Sequence, residues 1–219
     1  MKAVVIATSG DPQVRQVQEV ENPGIGDDEV RIREGLAPYL GLKCSGIIEG
    51  VGKVVIRWKV GDQVCALLSG GGHAEKVAVP VGQVLLIPSG VSLKDAAGIP
   101  EVACTVWSTV LMMSRLSAGE TFLEQGYLLQ QMCASITRLK TLLHGLFIIG
   151  FQGGTVAEVN LSGLLARRLT VQAAGLRNRS LENKDVIVSE VEKNVWPATT
   201  GVQIFSIDGS SRGSPAHGK

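Results

Sequence analysis

The sequence predicts a mixed α/β protein, rich in strands in its first half and with alternating helices and strands in its second. In residues 1–90, short segments of alternating apolar and polar side chains recur about every 8 to 12 residues, as in a sandwich or small barrel. After residue 91, the spacing of apolar residues changes to that of helices. Of the 219 residues, 45% are hydrophobic and 19% charged, which is the composition of a globular chain.

Turn residues separate the predicted strands of the first half. Residues 9–12 and 22–28 are the clearest turns, because both combine glycine, proline and aspartate. Residues 14–20 alternate apolar and polar side chains, which indicates a strand with one buried face. The predicted strands are residues 2–7, 14–20, 29–33, 44–51, 54–58, 63–68, 73–79 and 84–88.

Helical patterns begin at Ser92, which can cap a short helix together with Asp95 three residues later. Residues 100–111 are apolar nearly all round, as in a buried helix, and residues 128–143 have an apolar stripe followed by Gly145 at a C-cap position. The remaining predicted elements are a buried strand at 146–151, a short strand at 169–174, a surface helix at 179–196 ended by Pro197, and a disordered tail at 209–219.

Composition and charge argue against several classes of partner. The net charge of +1 provides no basic excess for phosphates, and the 4% aromatic content provides few side chains for stacking on bases, so we expect no nucleic-acid partner. No apolar run approaches the roughly 20 residues of a membrane span. The apolar run at residues 3–7 is too short for a signal peptide. We therefore expect a cytoplasmic protein without a membrane partner.

The four cysteines, Cys44, Cys65, Cys104 and Cys133, are widely spaced and form no CxxC pair. This spacing disfavours a disulfide framework and a structural zinc site, so we expect reduced, mostly buried thiols and no metal site. The motifs of zinc hydrolases, nucleophile elbows and paired carboxylates are also absent from the sequence. The sequence alone therefore assigns no catalytic residue.

Three glycine clusters are candidates for a cofactor site. Residues 70–72, and Gly50 with Gly52, each join two predicted strands, so turns explain both clusters without a ligand. Gly150 and residues 151–154 end an apolar strand, and open parallel sheets bind ligands beyond such strand ends. A ligand site and a plain turn are both open interpretations of this third cluster.

A dinucleotide phosphate loop needs several glycines between a strand and a helix. The segment organised in that way, residues 121–128, has a single glycine, Gly126, which permits a turn but not the close approach of a pyrophosphate. Arg167 with Arg168, and residues 177–179, would suit an anion such as phosphate. Solvated surface charge is the simpler explanation of both arginine pairs.

Several motifs together resemble a known enzyme family. They are Gly41-Leu42-Lys43-Cys44-Ser45-Gly46, Val60-Gly61-Asp62-Gln63-Val64, the glycines at 70–72 followed by Ala74-Glu75, Ala96-Ala97-Gly98-Ile99-Pro100, and Thr105. This pattern resembles the zinc-free quinone oxidoreductases related to zeta-crystallin, a branch of the medium-chain dehydrogenase/reductase superfamily. Residues 147–154 and 161–179 fit the same family, and the resemblance extends in order over most of residues 1–197.

The resemblance implies a fold and a domain organisation. Proteins of this family combine a GroES-like β-barrel with a Rossmann domain of the enoyl reductase type. On this basis we assign residues 1–115 to a GroES-like barrel, like the N-terminal domain of alcohol dehydrogenases. Residues 116–197 are then a truncated Rossmann-like remnant, and residues 198–219 a disordered tail.

The resemblance also implies a cofactor and a reaction. Family members hold NADPH in the cleft between the two domains and reduce quinones or activated alkenes without zinc. Thr105 matches a threonine beside the nicotinamide, and Gly150, Phe151 and Gln152 match a strand end that lines the cofactor. These four residues are the predicted cofactor-binding residues.

The chain departs from the family pattern in three places. A Rossmann core needs on the order of a hundred residues of βαβ units, but residues 123–146 have room for one helix, so we interpret the chain as internally shortened. The segment with the cleft tyrosine is reduced to residues 35–37, and Lys43 replaces a glutamate that is common in the family.

Two functions follow from these observations. The first is NADPH-dependent hydride transfer to a quinone-like acceptor, impaired by the missing phosphate loop. The second is a catalytically silent family member that forms a homodimer or pairs with a full-length relative. We also expect residues 116–197 to be loosely packed or to pair with another chain, because the strand at 146–151 has lost its neighbours.

Overall fold

The computed structural model describes residues 1–6, 14–34, 41–115, 145–148, 156, 161–168 and 170–199. The strands are β1 (Lys2–Ile6), β2 (Arg15–Glu19), β3 (Glu29–Glu34), β4 (Lys43–Val51), β5 (Gln63–Leu67), β6 (Lys76–Pro80), β7 (Val84–Leu86), β8 (Gly145–Ile148) and β9 (Thr170–Ala173). The helices are α1 (Leu93–Ala96), α2 (Ile99–Val106), its continuation as a π-helix (Trp107–Met113), α3 (Leu161–Arg167) and α4 (Leu181–Asn194).

A five-stranded antiparallel sheet, in the order β6-β3-β4-β5-β7, forms the centre of the first half. β3 and β4 pair across a bulge between Arg31 and Ile32, which leaves Glu49 of β4 between two paired positions. The Glu49 carboxylate accepts a hydrogen bond from Arg31 Nε at 2.6 Å and lies 3.0 Å from Lys76 Nζ on β6. The bulge therefore places one carboxylate where it links three adjacent strands.

Strand β5 separates two apolar cores. Alternate side chains of a strand point to opposite faces. Val64 and Ala66 therefore lie in the core of the sheet, whereas Cys65 and Leu67 lie in a second core beneath the helices. The other buried members of the first core are Val30, Ile32, Cys44, Ile48, Trp58, Leu68, Val77, Val79 and Val84.

The second core joins the sheet to α1, α2 and α4. Its other buried members are Leu85, Ala96, Cys104, Ile187, Val188, Val191 and Trp196. Trp196 Nε1 donates to the Leu86 carbonyl at 2.6 Å, which fixes the residues after α4 to the edge strand β7. Arg57 forms two hydrogen bonds with Glu192, so α4 is also held by the loop after β4.

Helix α4 confirms the surface helix that the sequence predicted at residues 179–196, and one side of it packs against the five-stranded sheet. Ile187, Val188 and Val191 form a buried stripe of helical spacing, although the rest of the helix is polar. The expectation that residues 116–197 are loosely packed is therefore wrong for α4. The second core provides the apolar partner that this narrow stripe needs.

β8 and β9 pair in parallel, with Leu146 opposite Val171, and α3 lies between them in the sequence. Parallel strands joined through a helix form the βαβ unit of Rossmann folds. The strand-rich first half together with this unit confirms the predicted α/β class.

Some predicted elements differ from the structure. Residues 54–58 form no strand but a loop in which Ile56 is almost fully exposed. β2 has no buried face, because it pairs with β1 alone. The predicted buried helix at 100–111 exposes Val102. The predicted helix at 128–143 and the predicted tail lie outside the described residues.

The replacement of Gly46 by alanine is expected to destabilise the five-stranded sheet. A Cβ at this position of β4 would lie 2.7 Å from Ile32 Cγ2 and 2.9 Å from the carbonyl carbon of Arg33 on β3. Overpacking costs roughly 1 to 3 kcal/mol, and the free energy of unfolding, measured by urea denaturation, should fall by at least that much. Gly24→Ala is the matched control, since nothing lies within 4 Å of its new Cβ. Equal effects of the two substitutions would contradict the packing described.

Candidate functional site

The candidate site lies at one end of the five-stranded sheet, in the loop between β5 and β6. Gly70 and Gly71 have φ angles of +155° and +83°, a backbone region that favours glycine. A Cβ at Gly72 would lie 3.0 Å from the Lys43 carbonyl oxygen and 3.1 Å from Gly41 Cα. The Gly72 amide donates to the Gly41 carbonyl at 3.3 Å. The glycines of two sequence motifs therefore pack directly against each other. This close contact requires glycine there, in addition to the turn that the sequence indicated.

Two cations lie beside this glycine loop. Lys184 of α4 is 2% exposed, and its Nζ donates to Ser69 Oγ at 2.6 Å. Arg177 Nη2 lies 3.9 Å from the position that a Cβ on Gly70 would take, so the guanidinium is next to the loop backbone. Burial, and secondly the charge of Arg177, lowers the pKa of Lys184 below its ordinary value. The loop therefore has a positively charged side.

A third cation, Lys43, connects the start of β4 to α2. Lys43 Nζ donates to the Gly98 carbonyl at 3.3 Å and lies 3.4 Å from Glu101 Oε2. Thr105 lies one helical turn beyond Glu101 and hence on the same side of α2. The ion pair thereby holds the Thr105 side of the helix toward the end of the sheet that carries the glycine loop.

Thr105 precedes an irregular segment of helix. Its carbonyl accepts hydrogen bonds from Ser108 Oγ at 3.2 Å and from Thr109 Oγ1 at 2.7 Å. The chain then continues as a π-helix, in which the Ser114 amide donates to the Thr109 carbonyl at 3.0 Å. π-helical turns are rare and frequently occur at functional sites. The half-buried side chain of Thr105 therefore lies at a place where the helix is widened.

The other predicted cofactor-binding residues, Gly150, Phe151 and Gln152, lie outside the described residues. The strand that leads to them, β8, ends two residues earlier, at Ile148. Their role stays a prediction from the resemblance.

The two arginines in residues 177–179 have different environments. Arg179 Nε donates to the Gly175 carbonyl and its Nη1 to Asn183 Oδ1, while its Nη2 lies 3.3 Å from Met113 Sδ. Arg179 thus fixes the turn before α4 to the end of the π-helix, which is neither of the two roles considered from the sequence. Arg177, in contrast, faces the glycine loop.

Lys184 is the site residue that the sequence analysis missed. It lies three and four residues before Ile187 and Val188, so it belongs to the buried stripe of α4. The signal available in the sequence was a lysine at a core position of an amphipathic helix. The prediction for residues 179–196 did not say which side of the helix is buried, so this signal was missed.

The buried thiols offer no nucleophile. Burial raises the pKa of Cys65 and of Cys104 to about 12, so both thiols stay protonated near neutral pH. Within the described part of the chain, no three His, Cys, Asp or Glu side chains group as metal ligands. Hydroxyls, cations and backbone groups are therefore the available chemistry of the site.

The described residues meet only some of the needs of a dinucleotide such as NADPH. His73, directly after Gly72, has a buried Nε2 without a hydrogen-bond partner, and Thr105 carries a half-buried hydroxyl on the side of α2 that also carries Glu101. The described ranges contain no glycine-rich turn from a parallel strand into a helix, which a pyrophosphate would require. The described residues therefore provide polar groups for a ligand but no phosphate loop.

The buried ammonium of Lys184 predicts a pH-dependent stability. Its pKa in the folded chain is lowered from 10.5, so between the lowered pKa and 10.5 the unfolded chain binds more protons. The folded state should then gain stability as the pH rises through that window. We expect the Tm of the wild type, relative to that of Lys184→Met, to increase from neutral pH toward pH 10. Parallel Tm curves for the two proteins would contradict the assignment.

Sequence comparisons find partial relatives. No protein-family model matches the chain. It is 32% identical over 122 residues to a synaptic vesicle membrane protein VAT-1 homolog of Danio rerio, which covers 52% of this chain and 24% of that protein. It is 33% identical over 108 residues to a reducing polyketide synthase of Metacordyceps chlamydosporia, covering 48% of this chain and 4% of the synthase. The matched region is therefore far less than two thirds of either relative.

Solved structures share the fold over most of the chain. The human VAT-1 homolog-like protein superposes with a TM-score of 0.68 at 19% identity, covering 91% of this chain and 86% of that one. Escherichia coli quinone oxidoreductase complexed with NADPH gives 0.65 at 15% identity, covering 94% and 91%. A mycobacterial protein complexed with NADPH gives 0.70 at 16% identity, covering 91% and 89%. The chain thus has the GroES-like plus Rossmann fold of these solved structures, which include a quinone oxidoreductase, so the fold that the resemblance implied is confirmed.

Proposed function

We propose that this chain is a quinone oxidoreductase-like protein whose reaction is NADPH-dependent hydride transfer to a quinone or activated alkene. The observation that carries the proposal is the position of Thr105. The Lys43–Glu101 ion pair holds its helix against the end of the sheet at which the glycine loop lies. Two structural neighbours are described as complexes with NADPH, which supports the choice of cofactor.

The chain's own residues would orient the reactants. NADPH, when bound, supplies the hydride. In this proposal the Thr105 hydroxyl would hydrogen-bond a polar group of the cofactor, and Gly70 and Gly71 would let a flat ring approach the loop backbone because they have no side chains. After hydride transfer the quinone is a hydroquinone anion that takes one proton from water, so the site needs no general acid.

We propose that turnover is impaired. Within the described residues, the parallel sheet consists of β8 and β9, and the sequence between 121 and 128 has one glycine. A pyrophosphate is normally held by backbone amides at the start of a helix that follows a glycine-rich turn. Without that grip, NADPH should bind mainly through its nicotinamide end, and therefore weakly.

Titration with NADPH, followed by Trp fluorescence quenching and by calorimetry, tests this function. We expect saturable binding that Thr105→Val weakens roughly two- to tenfold, the equivalent of one hydrogen bond of about 0.5 to 1.5 kcal/mol. Thr199→Val is the matched control, since the Thr199 hydroxyl bonds the Trp196 carbonyl at the end of α4. No binding up to millimolar NADPH would overturn the enzymatic proposal.

A second function is favoured by an exposed apolar strip on α2 and the π-helix. Val102 is 53% exposed and Val106 40%, and Leu111 and Met112 extend the strip. The helical stretch Leu93–Met113 is also apolar and long enough to span a membrane by length and composition, but its other side packs in the second core. An apolar strip of this kind suits a protein partner. The partner in this reading is a second copy of the chain or a full-length relative.

Sedimentation velocity tests the pairing function. We expect the chain to self-associate or to bind a purified full-length quinone oxidoreductase, and Val102→Lys to weaken that association. Val186→Lys on α4 is the matched control, because Val186 is equally exposed at 53%. A monomeric wild type that binds no full-length relative would exclude this function, as would equal effects of the two substitutions.

A further inference from the structure

Lys184 is a buried cation that has no counter-ion among the residues the structure describes. Its side chain is 2% exposed, and the described residues provide its ammonium with one hydrogen-bond acceptor, Ser69 Oγ, and no carboxylate. An ammonium carries three N–H donors, so two of them have no acceptor among the described residues. Buried charges in proteins are normally paired.

The surroundings of Lys184 make its charge more costly still. Arg177 is close enough for its charge to lower the pKa of Lys184. Lys184 also lies in the first turn of α4, after the N-cap Ser180, where the helix dipole is positive and disfavours a cation. Lys184 is therefore held in an environment that disfavours its charge, near a second cation and the N-terminus of a helix.

The acidic residues next to Lys184 in the sequence are engaged elsewhere. Asp185 packs against Gly82, between β6 and β7, and burial raises the pKa of its carboxyl. Glu182 is bound to Ser180 and to its own backbone at the exposed start of the helix. Neither carboxylate neutralises Lys184, so the local excess of positive charge is built into the fold.

The hydroxyl that the Lys184 ammonium bonds belongs to an exposed residue of the glycine loop. Ser69, Gly71 and Arg177 are exposed, whereas Lys184 is buried. Ser69 Oγ accepts from Lys184, so its own hydrogen can be donated to another group. Gly70 has no side chain to separate the Arg177 guanidinium from the loop. One buried cation, one exposed cation and one exposed hydroxyl therefore lie at this loop.

We propose that Lys184, Arg177 and Ser69 form a binding site for a phosphate group. A doubly charged tetrahedral oxyanion would offset both cations and accept from the ammonium, the guanidinium and the hydroxyl at once. The phosphate is either free in solution or part of a nucleotide, and the two sources share this chemistry. The site shares the glycine loop with the proposed function but uses none of the contacts of Thr105, so a phosphate titration tests it separately from NADPH binding.

Calorimetric titration of the full chain with inorganic phosphate tests the site. We expect saturable binding to the wild type, weakened roughly ten- to a hundredfold in Lys184→Met, as for the loss of a hydrogen bond to a charged group. Arg177→Gln should also weaken binding, and since Arg177 is exposed, this variant should fold normally. Lys193→Met, an exposed lysine on the same helix, is the matched control and should bind as the wild type does.

Parallel titrations with NADPH and NADH identify the source of the phosphate. If Lys184→Met weakens NADPH binding and leaves NADH binding unchanged, the site takes the extra phosphate of the nucleotide; if it weakens inorganic phosphate alone, the site takes free phosphate. Both results support the site. Absence of phosphate binding to the folded wild type, or equal phosphate affinity of the wild type and Lys184→Met, would overturn it, whether or not NADPH binds elsewhere.

Discussion

The burial of both faces of β5 is the constraint on which the other parts of this structure depend. One set of alternate side chains closes the core of the sheet, and the other set needs apolar cover from helices. α2 and α4 provide that cover, and the packing of α4 brings Lys184 to Ser69, two residues after β5. The position of the candidate site is thus a by-product of packing the second core.

Local patterns in the sequence were sufficient to predict most strands of the five-stranded sheet. Alternation predicted β3 to β7 within a few residues, and the Ser92 cap of α1 is present, with the Asp95 amide donating to Ser92 Oγ at 3.1 Å. The wrong predictions concern what an element packs against, and not whether its residues form a strand or a helix. β2 alternates correctly but has nothing to bury its apolar face against. α4 is polar over most of its surface. Its narrow apolar stripe is buried because Cys65 and Leu67 of β5 lie in the same core.

The candidate site was less predictable because its contacts are distant in the sequence. Thr105 came from the resemblance to a family and not from any local feature. The contact between Gly41 and residues 70–72 depends on the pairing of β4 with β5, and the bond from Lys184 to Ser69 joins residues 115 positions apart. No periodicity within one segment contains such information. The arginines of residues 177–179 were among the candidates for an anion that the sequence offered, and the structure separates them: Arg179 bonds the turn before α4, and Arg177 lies beside the glycine loop.

The bond from Trp196 to the Leu86 carbonyl has a consequence for how the chain acquires its structure. The two residues are 110 positions apart, and the second core contains residues from both sides of that interval. During synthesis, the strands of the five-stranded sheet are made before α4. The apolar side chains of Cys65, Leu67 and Leu85 therefore stay uncovered on the side of α4 until that helix follows. Contacts between residues so distant in the sequence slow folding and prolong the lifetime of an aggregation-prone intermediate. The yield of native protein should thus depend on whether that apolar surface is protected from aggregation until α4 has been synthesised.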